Sequence, residues 1–216
     1  MNSLGLGGLI HLWGTAGSGK TLLAVALASD VSRYARVEWI NTDGKRSFVK
    51  HLKTNVNAFG GNPDNVSITM TDTQKELLTV IDTLPSLELP GLIVIDPLTR
   101  VLDLARNDPT LWGREIVEDV LPTLAGLIHE QDLAIIITSE SRMLQDSETS
   151  PVHYKTISKW IDHDLCLNRD LSDSLTHVIQ RTDDVEKETA RLKLDKTGVL
   201  AIIPTLAHPR ISEEVG

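Results

Sequence analysis

Gly14-Thr15-Ala16-Gly17-Ser18-Gly19-Lys20-Thr21 satisfies the pattern G-x-x-x-x-G-K-[ST] at every defined position. Its glycines let backbone amides turn inward and approach a polyphosphate, and the start of a following helix adds its positive dipole end. Lys20 brings a mobile positive charge to the outer phosphates, and the Thr21 hydroxyl suits a Mg²⁺ ion. A glycine-rich turn can match such a pattern by chance, but the flanks argue for a working site. The apolar run Leu9–Trp13 reads as a strand entering the loop, and the Ala- and Leu-rich stretch from Thr21 to about Ser32 reads as a helix leaving it.

The same alternation continues outward. Val37–Asn41, Val66–Met70, Leu92–Ile95 and Leu133–Thr138 read as strands, and the last two look buried on both faces. Helical spacing joins Phe48, Leu52, Val56 and Phe59 over residues 47–59, with Gly60-Gly61 as the stop. Further helices are expected over 73–84, closed by Pro85, and over 111–131, with a kink at Pro122. Past them come short strand candidates at 165–168, 175–181, 189–194 and 199–203, with Asp183-Asp184 and Thr197-Gly198 as turns. The expected fold is therefore α/β: a mainly parallel sheet flanked by helices, ending in a short antiparallel section. Residues 139–155 are expected to form the longest loop.

The chain has 216 residues, a length that suits one domain, and 41% of them are hydrophobic. Its 21 basic and 30 acidic side chains leave a net charge of −9, which argues against wholesale wrapping of nucleic acid. No apolar run is long enough to span a membrane, and Leu4–Trp13 lacks the basic start and cleavage site of a signal peptide. The single cysteine, Cys166, excludes an internal disulfide framework. A cytoplasmic protein without a membrane partner is expected.

Two acids accompany the loop. Asp96 follows four apolar residues and falls where a parallel strand ends, the edge at which ligands bind. It either helps hold Mg²⁺ or merely ends a strand in solvent; the phosphate loop favours the metal role. Asp43, in Asn41-Thr42-Asp43-Gly44, either orients a water for phosphate hydrolysis or forms an Asp-Gly turn.

Taken together these segments resemble the ATPase core of the RecA superfamily, closest to archaeal RadA and its paralogues such as RadB. Gly8-Leu9-Ile10-His11-Leu12-Trp13-Gly14 resembles that family's entry into its phosphate loop, and Ile40-Asn41-Thr42-Asp43-Gly44 resembles its I-D-T-E-G segment. The resemblance implies ATP and Mg²⁺ as cofactors, with Gly14 to Thr21 as the binding loop and Lys20 on the phosphates. It puts Asp43 on the catalytic carboxylate's position. Ile95-Asp96-Pro97-Leu98-Thr99 resembles V-D-S-L-T, which implies that Asp96 and Thr21 serve the metal. Ile135-Ile136-Ile137-Thr138-Ser139-Glu140 stands where the family has a strand ending in T-N-Q, so Glu140 occupies the γ-phosphate sensor position.

Two departures imply slow or absent hydrolysis. Asp43 is one methylene shorter than the family's glutamate, and Glu140 places a carboxylate where the family has a neutral amide. A core that starts so close to its first strand leaves no room for the helix-hairpin-helix domain of full recombinases. The expectation is a single RecA-like domain over residues 1–216, an accessory paralogue working with a recombinase or other RecA-family paralogues in a homo- or hetero-oligomer. The Thr-Ser-Glu ending is also reminiscent of KaiC-type proteins, which keeps open a nucleotide-gated regulatory or structural ATPase of KaiC or archaellum type without a DNA role.

In the family, the stretch after the sensor strand faces DNA. Here it carries Arg142, His153, Lys155 and Lys159, but also Asp146 and Glu148. That thin set permits weak, salt-sensitive contact with single-stranded DNA, or is simply a solvated loop; Arg100, Arg106 and Arg114 form a second weak set. Asp162-His163-Asp164 reads as a strand-edge turn, Cys166 as a core residue, and residues 183–188 as a solvated acidic turn. The four tryptophans, Trp13, Trp39, Trp112 and Trp160, read as core or interface anchors.

Overall fold

Leu92–Asp96 shows why the chain folds as it does: all five residues are buried, and alternate side chains serve opposite layers of the core. The structure is a computed structural model and describes residues 4–42, 47–84, 90–98, 119–130, 133–143, 149–170, 175–182, 185–195 and 198–205. The strands are β1 (Gly8–Gly14), β2 (Val37–Asn41), β3 (Val66–Met70), β4 (Leu92–Asp96), β5 (Ala134–Met143) and β6 (Thr149–Pro151). β7 (His163–Arg169), β8 (Leu175–Thr182), β9 (Val185–Asp195) and β10 (Gly198–Pro204) follow. The α-helices are α1 (Lys20–Ser32), α2 (Ser47–Ala58), α3 (Gln74–Thr83), α4 (Leu121–Glu130) and the single turn α5 (Tyr154–Ile157).

The sheet runs β10-β9-β8-β7-β1-β5-β4-β2-β3, with β6 paired to β5. β3, β2, β4, β5, β1 and β7 are mutually parallel, while β7 to β10 pair antiparallel. Ile10, Leu12, Val94 and Ile136 turn to the layer of α1 and α2, whereas Leu9, Ile95 and Ile137 meet α3 and α4. α1 is apolar around nearly its whole circumference, so it is buried between sheet, α2 and β10.

Local signals set the boundaries. Thr73 caps α3 by accepting from the Glu76 N–H, while the Glu76 carboxylate accepts from the Asp72 N–H. α2 ends at Ala58, and Gly60 adopts φ 75° just where the glycine pair was expected to stop it. Pro122 is the second residue of α4 and directly follows helical residues 119–120; residues 111–118 and 131 of the expected helix lie outside the described residues.

Three sequence expectations need correction. Residues 139–155 do not form one long loop: β5 continues to Met143, β6 pairs back along it, and α5 follows. The polar residues of this stretch build an antiparallel pairing at the end of β5. The acidic stretch is not a turn from 185 onward, because β9 begins at Val185 and Glu186 pairs with Arg181 across the ladder. His163 and Asp164 belong to β7, with Asp164 buried, instead of forming an edge turn.

Candidate functional site

The loop leaves β1 at the carboxyl edge of the parallel strands, between β5 and β7. Gly14 has no alternative there: a Cβ would lie 2.3 Å from the Leu167 carbonyl oxygen and 2.9 Å from Ser18 Oγ. Gly17 and Gly19 take φ of 77° and 99°, left-handed values that an L side chain resists. Thr15, Ala16 and Gly17 form the exposed crest, and Ser18 is buried beneath it with a hydroxyl that has no partner among the described residues. Lys20 opens α1 and folds over the loop, donating to the Gly14 and Thr15 carbonyl oxygens at 2.9 Å each. Burial pulls the Lys20 ammonium below the usual lysine range, and the charges of Glu140 and Asp96 oppose that pull.

Asp96 ends β4 and is 6% exposed. The Thr138 hydroxyl donates to its Oδ1 at 2.5 Å, and the Thr21 hydroxyl also hydrogen-bonds its carboxyl. Burial raises the carboxyl above the ordinary aspartate value, against the two hydroxyls and the Lys20 charge. A buried carboxylate beside a helix-start threonine hydroxyl is a fitting oxygen-donor pair for Mg²⁺, which takes few protein ligands and completes its shell with phosphates and water. No cluster of three metal-binding side chains occurs among the described residues, so an all-protein metal cage is not on offer there.

Glu140 stands in register with Gly14 on the adjacent strand, so the sensor-position residue lies beside the loop's first glycine. Thr15 to Thr21, Asp96 and Glu140 are thus brought to one edge by three neighbouring strands and α1. Asp43 lies outside the described residues; the strand before it, β2, ends beside Asp96, with Asn41 paired to Asp96 and the Thr42 N–H donating to the Asp96 carbonyl oxygen. Arg142 sits in β5, paired with Ser150 of β6, and its side chain lies outside the described residues. Lys155 and Lys159 are exposed on α5 and just past it. Arg100, Arg106, Arg114 and Trp112 lie outside the described residues.

Sequence reasoning missed several neighbours of the loop. Arg169, at the end of β7, reaches the Gly17 carbonyl oxygen at 3.4 Å. A cleft of about 670 Å³ opens beside Gly14 and Thr15, walled by Trp13, Tyr154, Cys166 and Arg181. Arg181 lies 4.5 Å over the Trp13 ring and pairs with Glu186 at 2.7 Å, a cation–π stack that no local pattern announces. Cys166 is accordingly a half-buried cleft residue rather than core, although Trp13 and Trp39 are core residues as expected.

A phosphate loop after β1, a buried acid closing β4 and a polar end on β5, in this strand order, define a RecA-like P-loop ATPase core. Residues 1–142 match the family described as AAA domain, and the chain belongs to that family. No curated protein matches the chain by sequence. Among solved structures, the fold is similar to that reported as the crystal structure of the RadB recombinase, with a TM-score of 0.69. The alignment covers 89% of each chain at 19% identity, so the likeness is one of fold. No helix among the described residues is long and apolar enough to cross a membrane.

Proposed function

We propose that this protein is a RecA-fold recombinase paralogue that binds ATP and Mg²⁺, hydrolyses ATP slowly, and assists homologous recombination and DNA repair. The reading rests on one observation above all: Lys20, Thr21, Asp96 and Glu140 converge at the loop on a RadB-like fold. Gly14 to Thr21 would cradle the phosphates through backbone amides, with Lys20 turning from the loop carbonyls to the outer phosphates. Thr21 and Asp96 would hold Mg²⁺, which neutralises phosphate charge when bound. Asp43 is assigned the role of base from its place after β2. Glu140, a carboxylate beside Gly14, disfavours a further negative charge at the outer phosphate and so supports low turnover.

The partners in this reading are a recombinase or other RecA-family paralogues, in a homo- or hetero-oligomer in the cytoplasm. In this reading the protein reaches DNA chiefly through that partner, and the exposed Lys155 and Lys159 add weak direct contact with single strands. A pull-down from the native host, with and without ATP and with Lys20→Ala, tests this. Nucleotide-dependent capture of a RecA-family protein is expected; ATP binding without any such partner or DNA supports a nucleotide-gated regulatory module instead.

A further inference from the structure

β1 carries a histidine through the middle of the sheet. His11 is wholly buried, stands opposite Ile137 of β5 and Asp164 of β7, and uses both ring nitrogens. Nδ1 lies 2.9 Å from Asp164 Oδ1 and Nε2 lies 2.6 Å from Ser139 Oγ. Asp164 takes a second hydrogen bond at 2.9 Å from the Tyr154 hydroxyl to Oδ2.

The chemistry of the partners sets the direction of these bonds. A carboxylate only accepts, so Nδ1 carries a proton toward Asp164, and Nε2 shares the second bond with the Ser139 hydroxyl. Tyr154 keeps its own proton as donor, because burial and then the bond to Asp164 push its phenol up to about 12. Serine, histidine and aspartate in this order have the connectivity of a hydrolytic triad. Ser139 is 0% exposed, however, and no substrate reaches its Oγ. The chain of bonds therefore holds rather than reacts.

What it holds is the end of β5. Ser139 lies between Thr138, which is bonded to Asp96, and Glu140, which stands beside Gly14 and is felt by Lys20. At the far end, Tyr154 walls the cleft with its ring centroid 6.3 Å from that of Trp13. A second tie joins the same two regions, the Val152 N–H donating to the Glu140 carbonyl oxygen at 3.1 Å.

We propose that His11 is a positioning residue of the nucleotide site: through Ser139 it pins the strand end that carries Thr138 and Glu140 against the phosphate loop, with Asp164 and Tyr154 anchoring the pin. The inference rests on the reading of that loop as an ATP site. Its effect falls on the outermost phosphate, because Glu140 and Lys20 act there, and so it separates ATP from ADP.

Ser139→Ala, Tyr154→Phe and His11→Gln in the full chain test it, with ATP and ADP affinities measured in Mg²⁺ beside a thermal melt. Losing one buried hydrogen bond near the site should change the ratio of ATP to ADP affinity about tenfold in Ser139→Ala. Tyr154→Phe, at the far end, should change it about threefold, with melting within a few degrees of the parent. His11→Gln, whose amide can donate to Asp164 and accept from Ser139, should rescue the ratio to within about twofold. An unchanged ratio in both Ser139→Ala and Tyr154→Phe overturns the positioning role while leaving the ATP site standing. A parent chain that binds neither nucleotide overturns the ATP reading itself, and this inference with it.

Discussion

Thr138 Oγ1 donates to Asp96 Oδ1 at 2.5 Å between two side chains that are 0% and 6% exposed. The bond joins the ends of β5 and β4, and it meets part of the cost of burying an acid in the sheet. Burial still wins: the Asp96 carboxyl lies above its ordinary value. The unfolded chain therefore releases this proton at lower pH than the native state does. Stability falls as pH rises from the unfolded value to the raised native one, and the loss is complete above it.

Asp96→Asn keeps an acceptor for Thr138 and removes the charge. In chelator at pH 7–8 it should melt about 2–4 °C above the parent, with the difference vanishing near pH 3 where both forms are neutral. The same variant should lose the Mg²⁺ dependence of nucleotide binding. A melting point below the parent's at neutral pH would mean that the buried charge stabilises the fold.

Lys20→Ala separates binding from folding. Among the described residues Lys20 bonds only loop carbonyls, and burial works against its charge, so its removal should leave the melting point unchanged or slightly raised. Loss of charge-assisted phosphate contacts should weaken ATP by roughly 10- to 100-fold. Fluorescent-nucleotide titration and calorimetry of the same preparation decide it.

Glu140→Gln puts a neutral amide beside Gly14. Removing a like charge near the outer phosphate should strengthen ATP relative to ADP by roughly 3- to 10-fold. Equal gains for both nucleotides would place Glu140 away from the outer phosphate.

Much of this site could be read before the structure, for physical reasons that also mark where the reading stopped. β2 and β3 fall on residues 37–41 and 66–70 as expected, since short apolar runs between turn residues have few other places to go. The phosphate loop is a local motif, so its geometry travels with its spacing. His11, Asp164 and Ser139 escaped because their bonds join residues 128 and 153 positions apart, which no window along the chain can see. The pairing of β5 with β6 and the start of β9 do not show in the sequence because polar residues also build strands: Val185, Glu186 and Lys187 are exposed yet lie in the β9 ladder. Asp162 escaped similarly: its carboxylate accepts from the Leu9 N–H at 2.8 Å, tying β7's entry to β1.

Cys166 faces the cleft yet should be sluggish toward electrophiles. Burial first, and the nearby acids Asp164 and Glu186, push its thiol up to about 11 despite the Arg181 charge. The thiolate is the reactive form, so alkylation at pH 8 should run roughly 100-fold slower than for a free thiol. Unfolding in denaturant should restore the ordinary rate. Fast labelling of the native chain would show that the cleft environment does not suppress ionisation.

Lys155 and Lys159 stand four residues apart, both exposed, on α5 and its exit, beside the hairpin that leaves the nucleotide site. If each neutralises one phosphate of a single strand, each alanine substitution should lower the slope of log affinity against log salt by about 0.7. Affinity at fixed salt should fall alike for every base sequence, because a point charge on a phosphate reads no base edge. Titrating a labelled oligonucleotide between 50 and 200 mM salt measures both quantities. A slope unchanged in the double variant would remove this helix from any DNA contact.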